Sequence, residues 1–207
     1  MCLMKKQILL QENILKKIIK FILHSKVCIL LISTNCIAKE KWVIDKDISK
    51  ITFEVPVLFA SDVKGEFKNI DGFVEIDLEN KKNNKALVSA DIQSIEINYS
   101  KYRDLLLSPI FFDLSNFPLA LLDTKKFSYK NQDELTLDIE LTIKGISKMT
   151  ETKITIKKLT NDIVQILGSL KFSRNDFNIG TGNWKNTAIL KSYKNPIMTW
   201  RSNLIGT

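Results

Sequence analysis

The residues best suited to metal or covalent chemistry crowd one end of this 207-residue chain. All three cysteines and the single histidine (Cys2, His24, Cys28 and Cys36) fall within the first 36 positions. Thiolates and imidazoles build Cys/His zinc sites, activated nucleophile pairs and thiol redox couples. From residue 37 onward the chain has neither, so none of these, and no disulfide, can be assembled there. Carboxylates, cations and glycines remain. Asp45 and Asp47 are too isolated for a carboxylate dyad. Glu75, Asp77 and Glu79 alternate along one face of a strand, the pattern of a wet outer surface rather than a calcium site. Arg103 and Asp104 adjoin on a predicted helix, about 100° apart, so each is expected to cap or bridge a neighbouring loop. Arg174 and Asp176 share a face if a strand runs through them, which favours a structural ion pair or a turn bond. Gly180-Thr181-Gly182 lacks the remaining spacing of a phosphate cradle and reads as a turn. The expectation is no catalytic residue, no metal site and no cofactor, hence not an enzyme.

The thiol-bearing end reads as a leader. Lys5, Lys6, Lys16, Lys17, Lys20 and Lys26 accompany a single acid, Glu12, and the apolar run Val27–Ile32 leads into Ser33–Ala38. This is the basic, apolar, small-residue order of a secretory signal peptide, with cleavage after Ala38 and Cys36 two residues upstream. Acylation at Cys36 is the alternative, although Asn35 is bulkier than the usual preceding residue. An uncleaved anchor over Ile18–Ile37 would bury Lys20, His24 and Lys26 and has too few of the ~20 apolar residues a span needs. Residues 1–38 are therefore assigned to the leader and 39–207 to one secreted domain. Without the leader's six lysines and one glutamate the formal charge drops from +8 to +3. That balance offers no electrostatic footprint for nucleic acid.

The domain reads as short strands separated by polar turns. Leu135 to Lys144 alternates without a fault, as a strand with one wet and one dry face requires. Ser49–Val57 alternates likewise, and so do Val164, Ile166, Gly168, Leu170 and Phe172, with Gly168 marking a bend or a close backbone approach. Phe73–Leu78 and Leu87–Ile97 are weaker strands. Asn98–Pro118 is the exception: Ser100 as N-cap and Tyr102, Leu105 and Leu106 at helical spacing predict a helix that Pro109 ends. Regular short strands argue for an all-β sandwich or barrel of eight or more antiparallel strands with one inserted helix.

The order of motifs is more specific. Trp42-Val43-Ile44-Asp45, Ser49-Lys50-Ile51-Thr52-Phe53 and Val63-Lys64-Gly65-Glu66-Phe67 precede Ser94-Ile95. Arg103-Asp104, Ser108, Phe111-Phe112-Asp113 and Phe117-Pro118 follow. Leu141-Thr142-Ile143-Lys144-Gly145 and Arg174-Asn175-Asp176-Phe177-Asn178-Ile179-Gly180 complete the series. In order and spacing, residues 42–204 resemble the YceI family of polyisoprenoid-binding-protein-like periplasmic proteins. The resemblance implies an extended eight-stranded antiparallel lipocalin-like barrel, all-β with one short inserted helix, in the periplasm. It also implies an isoprenoid lipid or quinone held in the lumen. The chain departs from the family pattern at three places. Val57 and Leu106 stand where the family usually has histidine, and Asn178 where it usually has glycine.

An isoprenoid tail needs an apolar tunnel and little else. Each buried methylene is worth ~0.8 kcal/mol, so ~20 carbons yield roughly 16 kcal/mol. Ordering and immobilisation take back roughly 4–15 kcal/mol. Candidates for the lumen are Phe53, Val55, Val57, Leu137, Ile139, Leu141, Val164, Ile166, Leu170 and Phe172. Periodicity alone does not distinguish a hollow barrel from one packed solid by these residues. Arg103, Asp104, Phe111, Phe112 and Phe117 are candidates for the mouth, the phenylalanines as a plug. Expected partners are an isoprenoid lipid or quinone, with transient membrane contact and a homodimer left open. Two other functions are compatible with the pattern: a small outer-membrane β-barrel, or an enzyme acting on a lipid-like substrate through Asp104 or Asp176.

Overall fold

The computed structural model describes residues 39–55, 62–130, 132–185 and 197–206, together with Lys16, Lys17 and Lys20, which are helical. The chain divides into two compact units, Met1–Ile37 and Ala38–Thr207. The expected cleavage site after Ala38, Cys36 and the lumen candidate Val57 lie outside the described residues.

Among the described residues, the second unit is one antiparallel sheet of eleven strands. They are β1 (Lys39–Ile44), β2 (Lys50–Val55), β3 (Val63–Phe67), β4 (Ile70–Asp77), β5 (Lys85–Asp91), β6 (Ile95–Ile97), β7 (Leu119–Asp123), β8 (Glu134–Ile143), β9 (Ile146–Lys158), β10 (Ile163–Lys171) and β11 (Ile197–Gly206). Six of these form three interrupted staves: β1 with β2, β3 with β4, and β5 with β6. β1 and β2 pair with successive stretches of β11, through Ile44↔Leu204 and Ile51↔Trp200. β4 and β3 pair with β1 and β2 in turn, and β5 and β6 with β4 and β3. The pairing of β1 with β11 closes the sheet. The result is an eight-staved up-and-down antiparallel barrel with one short helix, α1 (Arg103–Leu107), as the family resemblance implied.

Local chemistry explains one of the interruptions and two of the connections. Between β1 and β2 the chain turns on Asp45, whose carboxylate accepts from the Asp47 amide at 3.1 Å and whose carbonyl accepts from the Ser49 amide. Ser49 Oγ in turn accepts from the Asn203 amide at 2.8 Å, which anchors the kink to β11. β8 and β9 join through Lys144 and Gly145, both left-handed (φ 51° and 70°), the two-residue turn whose twist suits a hairpin. Asp77 corrects the expectation of a wet strand face. It is only 4% exposed, and its carboxylate accepts from the amides of Glu79 and Asn80 and from Asn83 Nδ2, tying the β4–β5 connection. The Asn83 amide foremost holds that carboxyl below its ordinary range, aided by the Asn80 and Glu79 amides.

The inserted segment is less helical than its spacing predicts. Ser100 is no N-cap: it lies within a 3-10 turn, Ser100–Tyr102, whose flanking Tyr99 makes no side-chain cap, and α1 follows directly. Buried apolar residues form two clusters. One gathers around Ile44, Phe67, Ile70 and Ile95, the other around Ile139, Ile143, Leu170 and Phe177. Leu106, Phe112, Ile166, Met198 and Trp200 pack against both.

Candidate functional site

Alternation aims the apolar half of each strand at the barrel axis. In β8, Leu137, Ile139, Leu141 and Ile143 are buried while Thr136 and Asp138 are exposed. A membrane barrel does the opposite, presenting its apolar side outward and a polar interior. The outer-membrane reading therefore fails on the direction in which these side chains point.

The interior is not packed solid. A cavity of about 480 Å³ runs through it. Along β11 the lining extends from Met198 to Leu204, about 20 Å of strand at ~3.3 Å per residue. The volume is within the roughly 300–1,000 Å³ of ordinary ligand pockets. It is about three times an apolar cavity of ~150 Å³ that takes up benzene, so it has room for on the order of 20 carbons.

Seven of the ten lumen candidates line this cavity: Phe53, Val55, Leu137, Ile139, Leu141, Ile166 and Phe172. Two others do not. Val164 is half-buried near the start of β10, paired across to Lys158 and Leu204, away from the end where α1 lies. Leu170 is 3% exposed and packs in the cluster around Phe177, where the chain's own side chains occupy the space. Residues outside the lumen candidates complete the wall, among them Ile51, Leu106, Trp184, Met198 and Trp200. Met198, Trp200, Ser202 and Leu204 do alternate, but Ser202 interrupts the apolar run. Leu106 comes from α1, where the strand period does not apply, and Trp184 from a 3-10 turn, Gly182–Lys185.

Two segments meet at the end that α1 occupies. Phe111 and Phe112 line the cavity, Phe111 edge-on to Trp184 (5.7 Å between centroids) and Phe112 edge-on to Phe67 (6.2 Å). The Gly180 amide donates to the Ile110 carbonyl at 2.9 Å. Lys144 Nζ donates to the carbonyls of Pro109 (2.6 Å) and Asn178 (3.2 Å), so the β8–β9 turn ties both segments together.

The other mouth candidates are corrected. Arg103 does not line the cavity; its guanidinium donates to the Ile95 carbonyl at 2.9 Å and to the Gln93 carbonyl, fastening α1 to β6. Asp104 is exposed and outside the lining. Phe117 is no plug, because its ring covers the β8–β9 turn, where a Cβ on Gly145 would come within 2.5 Å of it. Arg174 does reach the cavity wall, but it makes no ion pair with Asp176. Arg174 donates instead to the carbonyls of Ile179 (3.0 Å) and Gly180 (3.1 Å), and burial pulls its guanidinium below its ordinary pKa. Asp176 is exposed on a 3-10 turn, Arg174–Phe177. Among the described lining residues there is no carboxylate, so neither acid named for an enzymatic reading faces the cavity.

A closed antiparallel wall around a mostly apolar lumen, with its mouth crossed by an inserted helix segment, defines a lipocalin-like barrel. Residues 42–196 match the YceI-like domain, and the chain belongs to that family. Protein YceI of Salmonella newport is 28% identical over 121 residues, 58% of this chain. The aligned stretch spans 63% of that relative's length. Among solved structures, Burkholderia cenocepacia BcnA superposes with a TM-score of 0.67 at 22% identity, over 79% of this chain and 99% of that one. A polyisoprenoid binding domain from Saccharophagus degradans gives 0.62 at 12% identity, over 80% and 98% of the two chains. At these identities the superpositions establish the fold.

Proposed function

We propose that this protein is an exported carrier that holds the tail of a polyisoprenoid, a quinone or a polyprenyl lipid, in the barrel lumen. One observation carries the reading: the wall is built mostly from aliphatic and aromatic side chains around a space suited to ~20 carbons. Membership of the YceI-like family supports it. So does the fold shared with a domain described as polyisoprenoid binding. Leu106, where the family usually has histidine, lines the cavity and keeps that part of the wall apolar. The basic, apolar leader supports export to the periplasm, with residues 1–38 removed on the way.

The test is extraction. Protein purified from a bacterial host without detergent, then extracted with organic solvent, is expected to release a prenyl lipid in up to equimolar amount by mass spectrometry. Absence of lipid, together with failure of the stripped protein to take up added prenyl lipid, would exclude the carrier role. N-terminal sequencing of protein from the periplasmic fraction should begin at Lys39.

A further inference from the structure

The end of β6 carries a pattern on its outer face that the lumen does not use. Ile97 and Tyr99 line the cavity, so alternation turns Glu96, Asn98 and Ser100 outward, and all three are exposed. β6 ends the sheet order and pairs with β3 alone among the described strands, which leaves its outer end approachable. Of all the asparagines in the chain, only Asn98 is followed two positions on by serine or threonine. The residue between them is Tyr99, not proline. Asn-x-Ser/Thr is the acceptor pattern of N-linked glycosylation, a modification of surface segments in exported proteins. Glu96 supplies the acidic residue, two positions earlier, of the bacterial form of that pattern.

The bonding around Asn98 leaves its amide nitrogen able to react. Oδ1 accepts from the Lys64 amide at 3.0 Å, and Nδ2 donates to the Asp62 carbonyl at 3.1 Å. Nδ2 carries two hydrogens, and the second has no partner among the described residues. A sugar replacing one hydrogen leaves one N–H for the Asp62 carbonyl. The Ser100 hydroxyl also makes no hydrogen bond among the described residues, so it is open to a transferase. Beside Asn98 a shallow groove crosses the outer wall, bordered by Thr52, Lys64, Glu66, Glu96 and Thr199. These side chains offer donors and acceptors to sugar hydroxyls. Neither Asn98 nor Ser100 lines the lumen, so a glycan there stands clear of the cavity.

We infer that Asn98 is an N-glycosylation site, displayed with Glu96 and Ser100 on the outer face of the folded barrel. The donor is an oligosaccharide carried on a lipid diphosphate, and a membrane-bound oligosaccharyltransferase makes the transfer. Asn98 Nδ2 forms a bond to the anomeric carbon as that carbon's bond to the diphosphate oxygen breaks. The lipid diphosphate leaves with the electron pair, the amide gives up one proton, and nothing is oxidised or reduced. The inference rests on the export reading and is independent of what the lumen holds.

The test offers the purified, folded full chain to a bacterial oligosaccharyltransferase and its lipid-linked oligosaccharide, read by intact mass and peptide mapping. One glycan per chain on Asn98 is the expected result. It should vanish in Asn98→Gln and in Ser100→Ala, persist in Ser100→Thr and fall in Glu96→Gln. An unmodified chain, a glycan on another residue, or full modification of Ser100→Ala would overturn the inference. Modification only after unfolding in urea would overturn it too, because the folded strand is what presents the site. The same transferase and donor, co-expressed in a bacterial host, should modify protein recovered from the periplasmic fraction. A chain beginning at Lys39 but lacking the glycan there counts against the inference. A chain that keeps residues 1–38 marks a failure of export instead, and the purified reaction then decides the site.

Discussion

The indole of Trp200 covers Gly168, its cross-strand partner on β10. A Cβ built on Gly168 would come within 2.2 Å of the indole Cζ2, so the space a side chain would need is already taken by the ring. The close backbone approach read from Gly168 in the sequence is thus the approach of a lumen-lining tryptophan.

Gly168→Val would force that indole off the wall and into the lumen. Overpacking of this kind typically costs about 1–3 kcal/mol. The expected outcome is a lower urea midpoint together with reduced prenyl-lipid uptake and a shifted tryptophan emission. Unchanged uptake and emission would show that the ring has another place to rest.

Filling the hollow separates binding from folding. Ala120 lines the cavity and packs against both apolar clusters. Ala120→Phe should reduce lipid uptake by at least about tenfold, the worth of two or so displaced methylenes at ~0.8 kcal/mol each. Because the ring enters open space rather than a packed core, thermal stability should hold or rise. A large fall in Tm with uptake intact would contradict the cavity's position.

Asp77 gives the β4–β5 connection an acid-sensitive hold. Its carboxyl is held below the ordinary 3.8, first by Asn83 Nδ2 and then by the Asn80 amide. A lowered folded-state pKa means the stabilisation is fully present above the unfolded value and is lost as pH falls through the folded one. The urea midpoint of the native chain should therefore decline below about pH 4. Asp77→Asn should lower the midpoint at neutral pH and flatten that acid limb. Parallel acid limbs in the two proteins would sink the assignment.

Asn178 adopts φ 52°, a left-handed conformation. That is the position where family members usually carry glycine, and asparagine tolerates it better than other side chains. Asn178→Gly should be neutral or slightly stabilising, whereas Asn178→Val should cost about 1–2 kcal/mol. Chemical denaturation of the two variants side by side tests the ordering. Equal stabilities would mean that the turn relaxes to a different backbone.

The strands were legible because a one-sided barrel wall imposes a period of two on the chain. Leu135 to Lys144 is the clearest case, and it becomes β8 within a residue of either end. Seven of the residues that periodicity selects line the cavity. Periodicity has no power over depth along a strand, so it also selects Val164 and Leu170, neither of which lines the cavity. The mouth was least legible. Arg103, Asp104 and Phe117 belong to the segment that breaks the strand period, so their directions depend on what they meet: Ile95 and Gln93 carbonyls, solvent, and the Gly145 turn.

Sequence by itself determined part of the chemistry in reach, since a domain without thiol or imidazole builds no Cys/His metal site, no thiol redox couple and no disulfide. It determined the wall as well, because alternating side chains can satisfy a sheet only by putting one face in and the other out. Whether the enclosed space is filled was decided in three dimensions. That outcome depends on how β10, β11 and the Asn98–Pro118 insertion meet, and alternation along a single strand carries no information about the distance to the opposite one. The same holds for charge: Lys101 and Arg174 lie 73 positions apart in the chain, and only the closed barrel places both on one apolar cavity.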